Sequence, residues 1–418
     1  MNTKLTKKLT YKYLNIQLVH SCINCVVASF AVIYLKFKGF SSVEIGFILS
    51  LSAILSIIIQ PLIASFADRT KKFTLRQICM FLVSLNGLLC FVMLTGGKIK
   101  ALIFVLFITI HAIHITLSPL TNSLAVEIIN KGFFINYGLA RGMGSLAYAF
   151  MSIILGILIG RFNPNILMFL AVIFYLLEIS ILYFFTLHPN QTQHLNKSTS
   201  ITLDNAHHTE ADKNTKQESS NTLTFLIRHK RFTIFLIGIM LMYYSFSLIN
   251  TYFINIFENV GGGSRELGIG LAIAAALELP IMAIFSLLLK RFKCSSLIRF
   301  AAIFYLIKAL ITLFASNVAM LYLSQTMQFF NFGIFTPASL YYVSMIIPEQ
   351  DSVKGQTMIN VSTYGLASVL ASITGGILQE TVGIFNMLLI GTIVTGLGVL
   401  IVLWVTQDTG APIKQEAK

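Results

Sequence analysis

Twelve long apolar stretches, divided six and six by one polar segment, limit what this chain folds into. The polar segment runs from His188 to Asn221, and neither side of it carries the charge of a soluble domain. Only 11% of residues are charged and 56% are hydrophobic, too little charge to cover a water-facing surface. An apolar run of about 20 residues crosses the hydrocarbon core of a bilayer, and a helix satisfies its own backbone there. The chain is therefore expected to be an all-α polytopic membrane protein with 12 transmembrane helices in two six-helix halves. The spans read as 13–35, 44–64, 75–95, 101–128, 138–160 and 166–186, then 232–256, 268–289, 298–316, 319–346, 358–378 and 383–406. That gives an N-terminal half at 1–187, a cytoplasmic linker at 188–224 and a C-terminal half at 225–418.

The net charge of +14 invites a nucleic-acid reading, but its placement points elsewhere. With the N-terminus in the cytoplasm, most Lys and Arg residues fall on the inner side. Only Lys36, Lys38, Lys98, Lys100, Arg161 and Arg265 lie in loops on the other side. This asymmetry satisfies the positive-inside rule with both termini cytoplasmic. The basic charge is topological, and no nucleic-acid partner is expected. The lipid bilayer of the cytoplasmic (inner) membrane is the expected surrounding.

No cleavable leader is expected, because a short basic arm leads directly into the first span. Cys22 and Cys25 form a C-x-x-C on a membrane helix, yet no second Cys or His pair completes a metal site. They read as small packing residues. The linker histidines His188, His194, His207 and His208 read as part of a solvated tether. No metal and no cofactor is indicated.

Ionisable residues within membrane spans are costly and mark function by default. Five stand out: Glu127, Arg141, Glu178, Glu278 and Lys308. Glu127 ends the fourth span and Arg141 opens the fifth, so their helices are antiparallel neighbours. Two readings stay open for them: a helix-end ion pair, or a pair facing a cavity and holding a solute. Gly138, Gly142, Gly144 and Ser145 keep one side of the fifth helix small, which permits close packing. Tyr148 lies two turns beyond Arg141 on the same face and either packs or stacks on the apolar face of a sugar. Glu278 and Lys308 occupy consecutive spans and suggest a cross-helix ion pair, with Pro280 loosening the backbone beside Glu278. Glu178 has no evident partner, and it reads as protonated or as lying near the lipid interface.

The tenth span carries a polar stripe of Gln325, Gln328, Asn331, Thr336 and Ser339. The first three sit three apart, which places them on one helix face and suggests a solute path.

These residues, with the division into six and six, resemble the major facilitator superfamily. Within it they are similar to the lactose permease-like oligosaccharide:proton symporters and their phenylpropionate-permease relatives. The resemblance covers essentially the whole chain. QPLIASFADRTKK at Gln60–Lys72 looks like that superfamily's loop between spans two and three, with Ala64 at the usual glycine position. It implies a gating role for Asp68 and Arg69 at the cytoplasmic contact between halves. The AVE containing Glu127 and the YGLARGMGS containing Arg141 match the sugar-holding segments. The resemblance implies that both bind substrate hydroxyls, with Tyr148 at the stacking position and Lys308 at a ninth-span arginine. The departures fall elsewhere. The eighth-span carboxylate would align near Ala275, one turn before Glu278. The tenth-span Lys, His and Glu positions hold Gln325, Gln328 and Asn331, which removes the usual proton carrier. A paired seventh-span Asp and eleventh-span Lys are replaced by Asn250 and Tyr364, leaving no odd charge.

The expected function is a secondary active transporter for a small polar solute, a sugar or similar metabolite, working by alternating access with proton symport. Substrate would be held by Glu127, Arg141, Tyr148, Lys308, Gln328 and Asn331. Glu278, with Glu127 as alternative, would carry the proton. The chain carries no Walker-type phosphate loop and is not expected to be an enzyme. Efflux antiport, uniport and, remotely, a polytopic membrane transferase remain as alternatives. The chain is expected to act as a monomer, with its small-molecule substrate and the proton as partners.

Overall fold

The computed structural model describes residues 3–70, 72–96, 99–130, 135–185, 222–348 and 351–408; the side chains of 3–8, 68, 69, 130, 222, 223 and 353 lie outside that description. The described chain is helical, as apolar segments of this length require. In order the helices are α1 (Thr3–Asn24), α2 (Ala31–Phe37), α3 (Ser42–Arg69), α4 (Leu75–Gly96), α5 (Lys100–Asn130), α6 (Tyr137–Arg161) and α7 (Ile166–Phe184). After the linker come α8 (Thr222–Arg228), α9 (Lys230–Thr251), α10 (Phe253–Asn259), α11 (Ser264–Arg291) and α12 (Cys294–Leu313). They are followed by α13 (Val318–Thr326), α14 (Phe332–Ile346), α15 (Ser352–Asn360), α16 (Ser368–Thr381) and α17 (Gly383–Val405). The linker histidines lie outside the described residues.

Local chemistry sets where the helices begin. Ser41 accepts from the Glu44 backbone N–H and Glu44 returns the bond to Ser41, a reciprocal cap on α3. Asn136 caps α6 through Leu139, and Asn317 caps α13 through Met320. The turns before α3 and α11 each pass through a glycine in the left-handed region, Gly39 at φ 82° and Gly261 at φ 81°.

By length and apolarity the described helices do not reach the expected count of twelve. Among the described residues ten helices are long and apolar enough to cross a membrane, or eleven if one bent pair counts as a span. That pair is the first span, where a π-helical segment at Cys25–Ser29 separates α1 from α2 with a 45° bend. The stretch expected at 319–346 is broken into α13, a 3₁₀ turn at Met327–Phe329 and α14, neither long enough alone. A second π-helical segment, Val361–Ala367, joins α15 to α16. Such breaks free backbone groups inside an apolar bundle, and they persist where side chains of neighbouring helices re-satisfy them.

Two large buried cores form, with a small third cluster of Ala149, Ala272 and Ala275 where α6 meets α11. One contains residues from Leu9 to Phe185 together with the Tyr244–Phe257 stretch, Leu267, Leu321 and Met387. The other draws only on residues from Phe225 to Val405. The two sets of helices therefore share a core at one end of the bundle and keep apart toward the other. The shared end is the one holding the 39–41 and 260–263 turns. There α3 crosses α16, and α6 crosses α11, at glycine distance. A Cβ at Gly268 would collide with the Ser152 carbonyl, and one at Gly376 with the Ser42 carbonyl. Polar contacts add to this closure. Lys36 donates to Glu258 at 2.6 Å and to Asn255 at 3.0 Å. Asn255 donates to Gln379 at 2.7 Å, and Gln379 donates to Ser42 at 3.1 Å.

The Lys36–Glu258 pair is partly exposed, and such pairs contribute about 0.2–1 kcal/mol. Replacing Lys36→Met is therefore expected to raise the labelling rate of a Ser372→Cys variant by up to about fivefold. Ser372 is buried behind the latch at 3% exposure. A membrane-impermeant maleimide measures this, and equal rates would show that glycine packing alone holds this end shut.

Candidate solute-binding site

Lys308 is 2% exposed in the middle of α12, so its ammonium requires acceptors from its neighbours. The broken tenth stretch supplies them. Nζ donates to Oε1 of Gln328 at 2.7 Å and to Oε1 of Gln325 at 3.2 Å. The Phe246 ring covers the charge with its centroid 5.1 Å from Nζ, a cation–π contact. Gln328 in turn donates through Nε2 to Oε1 of Glu278 at 3.0 Å. The direct ion pair expected between Glu278 and Lys308 is thus replaced by a relay. A glutamine amide has both an acceptor and a donor end, so it stands between ammonium and carboxylate and satisfies both.

The 3₁₀ turn makes this relay. Gln325 comes from the last turn of α13 and Gln328 from the 3₁₀ turn that follows, and both reach Lys308. Asn331 then leaves the helical path at φ −92°, ψ −82°, and its side chain accepts from the Phe332 backbone N–H to start α14. Asn331 is buried, as are Gln325 and Gln328. Thr336 and Ser339, further along the stripe, face a different space. They line a cavity of about 190 Å³ with Tyr243, Phe335, Asn360 and Tyr364.

From the first set of helices, Arg141 near the start of α6 is exposed. Its guanidinium lies within electrostatic reach of Glu278 and of Tyr364 in the second π segment. Tyr148 sits two turns further along α6. Its hydroxyl bonds Ser29 Oγ at 2.6 Å, and its ring packs against Ala149, Ala272 and Ala275. Ala275 is the position where the resemblance expects a carboxylate, so an aromatic ring fills that room and the carboxylate appears one turn on. Glu127 is half-buried on α5 and faces the Cys79 thiol of α4. Gln328 thus links Lys308 to Glu278, and Arg141 and Tyr148 lie on the helix packed against that of Glu278. The side chains of Asp68 and Arg69 lie outside the described residues.

Sequence reasoning passed over three intramembrane histidines, His20, His111 and His114, although an ionisable group in a span was the signal used for the others. It also left Glu178 without a partner. The structure places Glu178 deep among α1, α4, α5 and α7, at 0% exposure and in contact with His20. The lipid-interface reading of Glu178 is corrected by that burial. Among the described residues no group of three or more His, Cys, Asp or Glu side chains is arranged to hold a metal ion.

Long apolar helices that enclose a bridged lysine and glutamate, with an arginine facing them from the other set, belong to an integral multi-pass membrane transporter. Residues 18–390 match the MFS_1 like family, and the chain belongs to that family. The maltose permease of Geobacillus stearothermophilus is 26% identical over 364 residues, 87% of this chain and 86% of that protein. The uncharacterized transporter YwbF of Bacillus subtilis (strain 168) is 23% identical over 385 residues, 91% and 90% of the two chains. Among solved structures, the nucleoside transporter NupG superposes with a TM-score of 0.74 at 14% identity, over 97% of this chain and 98% of that one. A D-xylose-proton symporter does so with a TM-score of 0.65 at 16% identity, covering 98% of each chain. These structures share the fold. The relatives are permeases and transporters, and the chain is a transporter of a small molecule, not an enzyme.

Hydrogen bonds to charged groups contribute about 1.5–3 kcal/mol each, so removing the relay strands both charges. Gln328→Leu is expected to lower the thermal unfolding midpoint clearly. Adding Lys308→Met is expected to recover part of the loss, with a coupling of about 1 kcal/mol or more in the double-mutant cycle. Strict additivity, read by thermal melts of the purified protein, would remove Gln328 as the bridge.

Proposed function

We propose that this chain is a secondary active transporter that carries a sugar or similar polar metabolite by alternating access, coupled to protons. One observation carries the reading: α6 packs on α11 beside Arg141, Tyr148 and Glu278, at the boundary between two sets of helices that share a core at the end holding the 39–41 and 260–263 turns. Along that contact a Cβ at Gly142 would lie 3.5 Å from the Leu279 side chain, and Tyr148 packs on Ala272 and Ala275. A site between two such sets is exposed to each side in turn when they rock. In this conformation the end carrying Lys36 and Glu258 is shut. With the termini in the cytoplasm of a cell bounded by its inner membrane, as the positive-inside pattern implies, that end is external. The two halves, residues 1–187 and 225–418, would be the rocking units, contained in one chain that acts as a monomer.

In this reading Arg141 and Glu127 hold sugar hydroxyls by charge-assisted hydrogen bonds, and Tyr148 offers its ring to the apolar face of the pyranose. Lys308 and Gln328 complete the site from the other half. The resemblance to a maltose permease makes an α-linked glucose disaccharide the first solute to test. Glu278 carries the proton. Protonating it removes the charge to which Gln328 donates, so the amide relay to Lys308 loosens and both groups become free to rearrange. The aromatic cluster of Tyr243, Phe246, Tyr305 and Phe335 beside this region favours a second solute class, one with a flat ring.

Uptake into proteoliposomes with an imposed inward proton gradient tests this. Maltose is expected to accumulate saturably with matching internal acidification. Glu127→Gln and Arg141→Ala are each expected to reduce binding at least a hundredfold without preventing membrane insertion, and wild-type affinity in either would remove the proposed site. Glu278→Gln is expected to keep exchange between equal pools and to lose uphill accumulation; undiminished uphill uptake in that variant would remove Glu278 as the carrier.

A further inference from the structure

Away from the solute-facing residues, the first set of helices encloses a compact group of ionisable side chains. Glu178 on α7 is 0% exposed and His20 on α1 is 6% exposed. His20 Nδ1 and Glu178 Oε1 lie 3.1 Å apart. The His114 ring of α5 stacks on His20 with centroids 5.2 Å apart, and its Nε2 lies 3.1 Å from Asn24 Oδ1. The outward atoms of the group, His20 Nε2, Glu178 Oε2 and His114 Nδ1, have no partner among the described residues. Buried polar atoms are normally satisfied, and three unpartnered ones gathered in one cluster leave lone pairs to which a proton can add.

The charge balance points the same way. With neutral imidazoles and an ionised Glu178 the cluster holds one negative charge, which burial opposes strongly. One added proton makes the cluster neutral, whether it rests on His20 Nε2 or on Glu178 Oε2, and a second would make it positive. The other titratable groups facing it are Cys79 of α4, His111 of α5 and Tyr175 of α7. Arg76 of α4 donates to the carbonyls of Leu182 and Tyr183, one turn along from Glu178.

The cluster also has a mechanical route to the solute side. Asn24, in contact with His114, is the last residue of α1. The π-helical segment Cys25–Ser29 follows, and Ser29 at its end bonds the Tyr148 hydroxyl at 2.6 Å. A π-helical turn carries an extra residue and converts to α-helix by a small register shift. Such a shift would move Ser29 relative to Tyr148 while His20 stays on the straight part of α1.

We propose that His20 and Glu178, with His114 stacked against them, form a proton-binding site that loads and releases one proton, and that the π-helical segment of the first span links its state to Tyr148. The proposal rests on the transport reading above and adds to Glu278 a proton site off the solute path. Loading adds a proton to His20 Nε2 or to Glu178 Oε2, the atoms without a partner among the described residues, leaving an imidazolium–carboxylate pair or a neutral imidazole beside a carboxylic acid. Release leaves a neutral imidazole donating Nδ1–H to the carboxylate. Only bonds to hydrogen change.

The test uses the full-length protein in lipid, with the proton as the only ligand. Infrared difference spectra between acid and alkaline pH are expected to show carboxyl and imidazole bands that Glu178→Gln removes, that His20→Asn shifts in frequency and midpoint, and that Glu278→Gln leaves in place. Spectra of Glu178→Gln and His20→Asn that match the wild type would overturn the site. If Glu178→Gln fails to fold, His20→Asn decides alone. The link is read separately from the pH dependence of maleimide labelling in a Ser372→Cys background. Labelling is expected to change at least twofold across the same pH interval, and Ser29→Ala is expected to abolish that change while keeping the infrared bands. A labelling profile unaltered by Ser29→Ala would overturn the link. Neither readout requires a transported solute, so a failure to move maltose leaves both outcomes interpretable.

Discussion

A charged or polar group among apolar helices must find its partner inside the protein, because hydrocarbon offers none. That requirement organises this transporter. Lys308 is satisfied by two glutamine oxygens and an aromatic face, and one of those glutamines reaches Glu278. A glutamine relay holds the two charges apart yet coupled.

The same requirement explains where the helices are broken. Each departure from the α-helix lies beside a residue with work to do. The first π-helical segment runs from Asn24, which meets His114, to Ser29, which meets Tyr148. The second contains Tyr364, the residue facing Arg141 from the other set of helices. The 3₁₀ turn carries Gln328. Irregular backbone is tolerated where it lines a cavity or is re-bonded by neighbours, so the breaks and the polar side chains select one another. At the closed end the opposite device operates. Helices there remain regular and meet through Gly268 and Gly376, where no side chain holds the backbones apart.

Much of the architecture was legible in the chain. Spans such as 75–95 and 383–406 lie within a residue or two of Leu75–Gly96 and Gly383–Val405, because length and apolarity alone determine a membrane helix. The stretch at 319–346 was also long enough to span, although it carries Gln325, Gln328 and Asn331, yet it folds as two short helices around a turn. Its break follows from what Gln325 and Gln328 bond to, and that partner, Lys308, lies on another helix. Arg141, Tyr148, Glu278 and Lys308 were recognisable as ionisable or amphipathic groups in spans. How they connect was not.

The sequence by itself determined that the chain is a helical, multi-pass membrane protein, where its helices run and which of its residues carry charge into the bilayer. These properties depend on local composition and on the self-contained hydrogen bonding of a helix. Only the tertiary structure decided the partners. His20 and Glu178 are 158 residues apart in sequence, and Lys36 and Glu258 are 222 apart. Nothing in the spacing of either pair announces the contact. Pairing depends on which helix faces pack together, a property of the whole bundle and of the end at which its two cores have fused.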